Sequence, residues 1–306
     1  MMDRLKTNIC GVEFKNPIIA ASGTFGYGLE FKRFTNIEKI GGISVKGISL
    51  YETYGNPMPR LVETYSGLLN AIGLQNVGVE KFIKEKLPAL KPLDTRIIVN
   101  FWGKTIDEYV EVAKILDSTE RVDMLEMNIS CPNIKEGGIS FSSSPKAVEQ
   151  VVLACKKVIN NKPLIVKLSP NVQDIKPFAK ACEDSGADAV SAINTLVGMA
   201  IDVERMKPVL ANVTGGLSGP AIKPVALRMV KEVFEIVKIP VIGIGGIGNW
   251  EDAAEFILAG ASAVQIGTAN FINANVCKET ADGLNEYLER KNIANFKEIV
   301  GRAVSC

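Results

Sequence analysis

Val122-Asp-Met-Leu-Glu-Met-Asn-Ile-Ser-Cys-Pro-Asn133 is the stretch that decides how this chain folds. Val122 to Met127 is an apolar, strand-like run. The chain then opens into Ile134-Lys-Glu-Gly-Gly-Ile-Ser-Phe-Ser-Ser-Ser144, which is polar and glycine-rich. Pro145 starts a helical pattern reaching about 159, as proline suits a first turn. Strand, loop and helix make one unit, and outward from it the unit repeats. Upstream strands read at Pro17–Ser22, Gly42–Gly47 and Arg96–Phe101, with helices near 29–36, 77–86 and 105–116. Downstream strands read at Pro163–Leu168, Ala187–Ile193, Ile239–Gly243 and Ser262–Gly267. Their helices read at 174–184, 221–236 and 250–258, and the tail 277–299 is helical.

Eight strands, each followed by a helix, make a (β/α)8 TIM barrel the expected fold. A short N-terminal β-hairpin near 8–15 precedes it. Insertions, a long connection over 48–76 and a glycine-rich one before Pro220, are expected at the C-terminal face of the strands. The alternative is an open doubly wound sheet. No linker or composition break divides the chain, so residues 1–306 read as one domain.

The chain has 306 residues, 47% hydrophobic and 23% charged, enough for a large core. Its 35 basic and 34 acidic residues leave a net charge of +1 with no basic stripe. Nucleic acid and anionic membranes are therefore not expected partners. Residues 1–11 are polar and do not read as a signal peptide, and no apolar run approaches the roughly 20 residues of a membrane span.

There is no histidine. Proton transfer near neutral pH must use another group, and a thiol is next in line. The cysteines at 10, 131, 155, 182, 277 and 306 form no Cys-x-x-Cys pair. That argues against zinc or an iron–sulfur cluster in this chain, and unpaired thiols suit a reducing cytoplasm. Cys131 is the one placed where a strand opens into a loop. A free cysteine commonly just packs. Here Asn128, Ser130 and Asn133 surround it with hydrogen-bonding groups instead.

Chemistry in such barrels gathers at the C-terminal strand ends. Ser22, Lys46, Asn100, Asn128, Lys167 and Asn194 close successive apolar runs. Two lysines and three asparagines aimed at one mouth read as a site. Gly243-Ile-Gly-Gly-Ile-Gly-Asn249 and Ile266-Gly-Thr-Ala269 follow strands seven and eight, the habitual phosphate position of this fold. The phosphate could belong to a substrate or to a cofactor such as FMN. A strand-end lysine would stabilise negative charge on a reduced flavin, and asparagines match the edges of a pyrimidine ring. A thiol could then take a proton from carbon as hydride leaves.

Asn16–Gly26, Ser44–Gly47, Asn70–Asn76, Asn128–Asn133, Val166–Pro170, Ile193–Thr195, Gly215–Pro220, Gly243–Gly246 and Gln265–Thr268 together resemble class 1 dihydroorotate dehydrogenases. The similarity covers nearly the whole chain and is greatest to the catalytic subunit of the NAD-dependent type. It implies an FMN flavoprotein oxidising (S)-dihydroorotate to orotate in UMP biosynthesis. By that resemblance Cys131 takes the C5 proton as the C6 hydride passes to flavin N5. Asn70, Asn128, Asn194 and Thr195 would hold the orotate ring, beside the backbone of Ala71, Ile72, Gly73 and Leu74. Lys46 would touch both substrate and flavin. Ser22, Gly47, Asn100, Asn128, Lys167, Ile193, Gly219, Gly245, Gly246, Gly267 and Thr268 would hold FMN. The loop after Cys131 would be a lid.

Family members that use serine as base are membrane-associated and carry an N-terminal extension; Cys131 and a start without such an extension lead us to expect a different type here. A fumarate-using soluble type shares the cysteine, but Thr24-Phe-Gly26 favours the NAD type. That type implies a heterotetramer, two copies of this chain with two copies of a subunit carrying FAD and a [2Fe-2S] cluster. Other readings are a dihydropyrimidine dehydrogenase-like flavoenzyme, a phosphate-gripping lyase or synthase using Lys46 or Lys167, and a barrel that only binds or assembles.

Overall fold

The computed structural model describes residues 4–129 and 143–303. Its strands, in chain order, begin with the hairpin β1 (Thr7–Ile9) and β2 (Val12–Phe14), then β3 (Ile18–Ala20) and β4 (Gly42–Ile48). β5 (Leu61–Thr64), β6 (Gly67–Asn70), β7 (Arg96–Phe101), β8 (Met124–Asn128), β9 (Leu164–Lys167) and β10 (Ala189–Ala192) follow. β11 (Leu196–Met199), β12 (Ile201–Asp202), β13 (Lys207–Pro208), β14 (Thr214–Ser218), β15 (Val241–Ile244) and β16 (Ala263–Ile266) complete the set. The helices are α1 (Val79–Lys81), α2 (Leu87–Leu90), α3 (Ile106–Asp117), α4 (Pro145–Lys156) and α5 (Lys176–Asp184). α6 (Lys223–Phe234), α7 (Trp250–Ala259), α8 (Ala269–Ile272) and α9 (Val276–Arg290) close the chain.

Eight parallel strands, β3, β4, β7, β8, β9, β10, β15 and β16, close into a barrel. The expected fold is thus the observed one. Such strands are covered on both faces, which is why they read as unbroken apolar runs. Alternate residues still face opposite ways, and the barrel interior is layered accordingly. The lowest layer is apolar: Ile19, Ile98, Met124, Ile165, Ala189, Ile242 and Ala263 pack together. Ile9 and Phe14 of the β1–β2 hairpin join that cluster and plug the barrel floor. Two residues further along the strands, the interior becomes polar, with Ser44, Asn100, Glu126, Lys167, Ser191 and Gln265 all buried.

The two long connections are more ordered than expected. β5 and β6 from the first pair with β14 and β11 from the second, giving a four-stranded antiparallel sheet in the order β11-β14-β6-β5. Gly216 sits opposite Asn70 in this sheet, and Leu196 opposite Leu217. Neither segment shows clean apolar alternation, so the pairing was invisible until both were in place.

The expected helix at 29–36 is instead two 3-10 turns, Leu29–Phe31 and Ile37–Lys39. The Asn36 side chain accepts from the Glu38 N–H and restarts the chain there. The helix expected at 77–86 runs on to Leu90 through a π segment, Phe82–Lys86. Pro88 has no N–H to donate one turn back, which favours the wider turn before it. The tail helix stops at Arg290, followed by Asn292 with φ 54°, and a separate 3-10 turn covers Phe296–Ile299.

Candidate functional site

A cavity of about 950 Å³ lies at the C-terminal ends of the barrel strands. Every expected substrate or cofactor residue lines it. Ser22 follows β3; Lys46 and Gly47 lie on β4; Asn100, Asn128 and Lys167 come from β7, β8 and β9. Ile193, Asn194 and Thr195 follow β10, and Asn70 with Ala71, Ile72, Gly73 and Leu74 end and follow β6. Gly219 follows β14, Gly245 and Gly246 follow β15, and Gly267 and Thr268 follow β16. Cys131 and the loop expected to be a lid lie outside the described residues.

Three asparagines are held by the backbone around them. The Tyr109 hydroxyl, on α3, donates to the Asn128 carbonyl at 2.6 Å and anchors the end of β8. Asn194 Nδ2 donates to Asn128 Oδ1 at 3.4 Å, and Asn194 Oδ1 accepts from the Thr195 N–H at 2.8 Å. Asn70 Nδ2 donates across the antiparallel sheet to the Gly216 carbonyl at 3.3 Å. Asn56 Nδ2 donates to the Ala71 carbonyl at 3.0 Å, bracing the segment after β6.

The lysines differ in setting. Lys167 is buried at the end of β9, one strand from Asn128 in register. Lys46 lies within β4 rather than at its end. Burial, reinforced by the positive charge of Arg60, holds the Lys46 ammonium below its ordinary value of 10.5. Glu126, 0% exposed, shares the buried polar layer with Lys167. Burial alone would raise its carboxyl. The Lys167 charge and hydrogen bonds from Asn100, Gln265 and Ser44 outweigh that and hold it below the usual range, so it is an anion.

The glycine turns are rearranged relative to expectation. The α7 N-terminus is occupied by its own residues: Asn249 accepts from the Asp252 N–H at 2.8 Å, and the Gly248 N–H donates to Asp252 Oδ2 at 2.8 Å. That leaves Gly245 and Gly246, with Gly267 and Thr268 opposite, as the cavity wall on this side. Thr268 Oγ1 donates to Ser218 Oγ at 2.7 Å and ties the β16 turn to β14. Gly246, at φ 75°, lies so close to its neighbours that an added Cβ would meet the Gly219 carbonyl oxygen at 2.9 Å.

The thiols among the described residues are poor candidates for proton transfer. Cys10, Cys155, Cys182 and Cys277 line no part of the cavity. Burial pushes Cys10, Cys155 and Cys277 up to about 12, and Cys182 higher still. Among the described residues no group of three or more acidic, cysteine or histidine side chains could hold a metal. No helix among them is long and apolar enough to cross a membrane.

Sequence reasoning missed Asn171, Ser218, Glu126 and Gln265. Asn171 Nδ2 donates to the Thr195 carbonyl at 3.0 Å, and its Oδ1 accepts from the Val197 N–H at 2.9 Å. Glu126 was legible in principle, because it stands two residues before Asn128 on a strand and therefore shares its face.

A (β/α)8 barrel whose mouth joins two lysines, several amides and glycine turns after its last two strands has the form of an enzyme that grips a phosphate-bearing ligand. The chain belongs to the dihydroorotate dehydrogenase family, whose model matches residues 4–288. It is 56% identical to the catalytic subunit of dihydroorotate dehydrogenase B (NAD(+)) from Pelobacter propionicus over 306 residues, all of both chains. The subunit of the same name from Bacteroides thetaiotaomicron is 55% identical over 300 residues, 98% of this chain and 99% of that one. The one from Geotalea uraniireducens is 55% identical over 301 residues, 98% of each.

Proposed function

We propose that this chain is one FMN-binding domain that oxidises dihydroorotate to orotate and passes the electrons to NAD through a separate FAD and [2Fe-2S] subunit in the cytoplasm. The observation that carries this reading is the gathering of the lysines, asparagines and glycine turns around one cavity. Its volume, about 950 Å³, suits a ribityl phosphate, a flat three-ring system and a small acid beside it. Asn100 Oδ1 is buried without a hydrogen-bond partner and lies where a Cβ on Gly47 would stand 2.8 Å away.

Gly245, Gly246, Gly267 and Thr268 hold the phosphate through backbone donors, with Gly219 beside them. Ser22, Lys46, Gly47, Asn100, Asn128, Lys167 and Ile193 hold the ring and ribityl chain. FMN, when bound, supplies the acceptor for the hydride leaving C6 of the substrate. Asn70, Asn128, Asn194 and Thr195 orient the substrate ring, with the Ala71–Leu74 backbone against it. The Cys131 sulfur takes the proton from C5, so the C5–C6 bond becomes double.

The exposed side chains Val197, Met199, Ile201, Val203 and Met206 form an apolar run on and after β11. Such a run favours pairing of two copies of this chain, each joined by one electron-transfer subunit.

Purified chain should be yellow and bleach with dihydroorotate, reduce a dye acceptor, and reduce NAD only when the second subunit is added. Colourless protein that gains no colour with FMN, or yellow protein bleached by a dihydropyrimidine but not by dihydroorotate, would sink the reading. Brisk NAD reduction by the isolated chain would remove the partner.

Lys46 makes a pH prediction. An anionic product beside it raises its depressed pKa again, so binding takes up a proton between the free lysine's pKa and that of the complex. Orotate affinity should be flat at lower pH and fall as pH rises through the free lysine's pKa, which lies below 10.5. Calorimetry in buffers of different ionisation enthalpy reads the uptake. Zero uptake throughout the fall would reassign the contact.

A further inference from the structure

Directly below the cavity floor is a charged group to which the reaction assigns no role. Glu126 Oε2 accepts from Ser44 Oγ at 2.8 Å and from Asn100 Nδ2 at 2.7 Å. Its Oε1 accepts from Ser191 Oγ at 2.9 Å and from Gln265 Nε2 at 2.7 Å. The donors come from four other barrel strands, β4, β7, β10 and β16. An ionised carboxylate only accepts, so each amide must turn its NH2 toward it. For Asn100 this has a directional result. With its NH2 committed below, Oδ1 is turned away, buried and unpartnered, at Gly47 on the cavity wall. Lys167, also lining the cavity, is the largest charge acting on Glu126. A buried carboxylate is costly, and this one is retained in a layer where apolar side chains would fill the same space.

We propose that Glu126 is a positioning residue for the redox site: its carboxylate offsets the Lys167 ammonium beneath the cofactor and fixes which way the Asn100 amide is turned under Gly47. This rests on the reading that FMN occupies the cavity. A fixed negative charge there opposes the charge that builds up on flavin reduction, so Glu126 sets the flavin potential lower than Lys167 alone would. Lys167 without Glu126 would favour the reduced flavin more strongly, and Glu126 without Lys167 would disfavour it.

The test is a charge cycle read by flavin potential and by FMN affinity of the apoprotein, measured by quenching of flavin fluorescence. Glu126→Gln should raise the midpoint potential, and Lys167→Met should lower it. The double variant Glu126→Gln/Lys167→Met removes both charges together and should return toward the wild-type potential. It should bind FMN about tenfold more tightly than Lys167→Met, which leaves an uncompensated anion. Ser191→Ala removes one donor but keeps the charge, and should leave the potential in place. A purely structural Glu126 would make Ser191→Ala and Glu126→Gln behave alike. An unchanged potential in Glu126→Gln, or a double variant that matches Lys167→Met or holds no FMN, overturns the proposal. Should Glu126→Gln fail to fold, the comparison of the double variant with Lys167→Met decides. Wild-type protein that binds no FMN would overturn the functional reading as well, whereas wild-type flavin with an unmoved Glu126→Gln potential overturns this inference alone.

Discussion

Cys131→Ala protein is expected to purify yellow, to shift its flavin spectrum on adding orotate, and to reduce its flavin with dihydroorotate about 1,000-fold more slowly than wild type. The expectation rests on proton inventory. The chain contains no histidine. The thiols among the described residues are away from the cavity, and burial keeps them protonated. The carboxylate nearest the floor, Glu126, is enclosed by its own donors. Cys131 follows Asn128 by three residues, and the Tyr109 bond fixes the strand end from which that segment leaves. Binding should survive because the orotate and FMN contacts assigned above do not use the sulfur. Stopped-flow absorbance at the flavin band measures the loss. Reduction within threefold of wild type would strip Cys131 of its role as base.

Gly246→Ala is expected to yield folded but nearly colourless protein, with FMN affinity reduced on the order of 100-fold, about 2.7 kcal/mol. Two effects add. At φ 75° an L side chain costs roughly 1–2 kcal/mol of backbone strain. The new methyl would also lie 2.7 Å from Lys223 Cβ, 2.8 Å from Lys223 N and 2.9 Å from the Gly219 carbonyl oxygen. Two of those three are backbone atoms. The Lys223 side chain is itself held by Asp252 at 2.6 Å and Glu255 at 3.0 Å. The turn must therefore shift, and with it the donors proposed to grip phosphate. Gly11→Ala is the control. Gly11 also has a positive φ, 86°, but an added Cβ there meets nothing within 4 Å, and the hairpin plugs the opposite end of the barrel. It should lose about 1 kcal/mol of stability and keep its flavin. Equal flavin loss in both variants would show that Gly246 acts through global stability alone.

Much of the site was readable from local chemistry. Ser22, Lys46, Asn100, Asn128, Lys167 and Asn194 stand out because each interrupts or closes an apolar run. The glycines after β15 and β16 stand out because two such turns follow the last two strands. Their exact use was less legible. The helix after the first glycine turn caps itself with Asn249 and Asp252, a competition between side chain and ligand that no glycine count reveals. The antiparallel sheet that places Asn70 opposite Gly216 joins segments far apart in the chain, and neither carries a pairing signal alone.

Apolar periodicity was enough to determine the barrel, because strands buried on both faces must be apolar wherever they occur. The same logic exposed the polar residues at their ends, which have no reason to be there except a site. The polar layer inside the barrel belongs to the tertiary structure. Glu126 and Gln265 are 139 positions apart, and only barrel closure sets them 2.7 Å from one another. A hydrogen bond is a property of a pair in space, so which way each buried amide turns is decided only when distant strands meet.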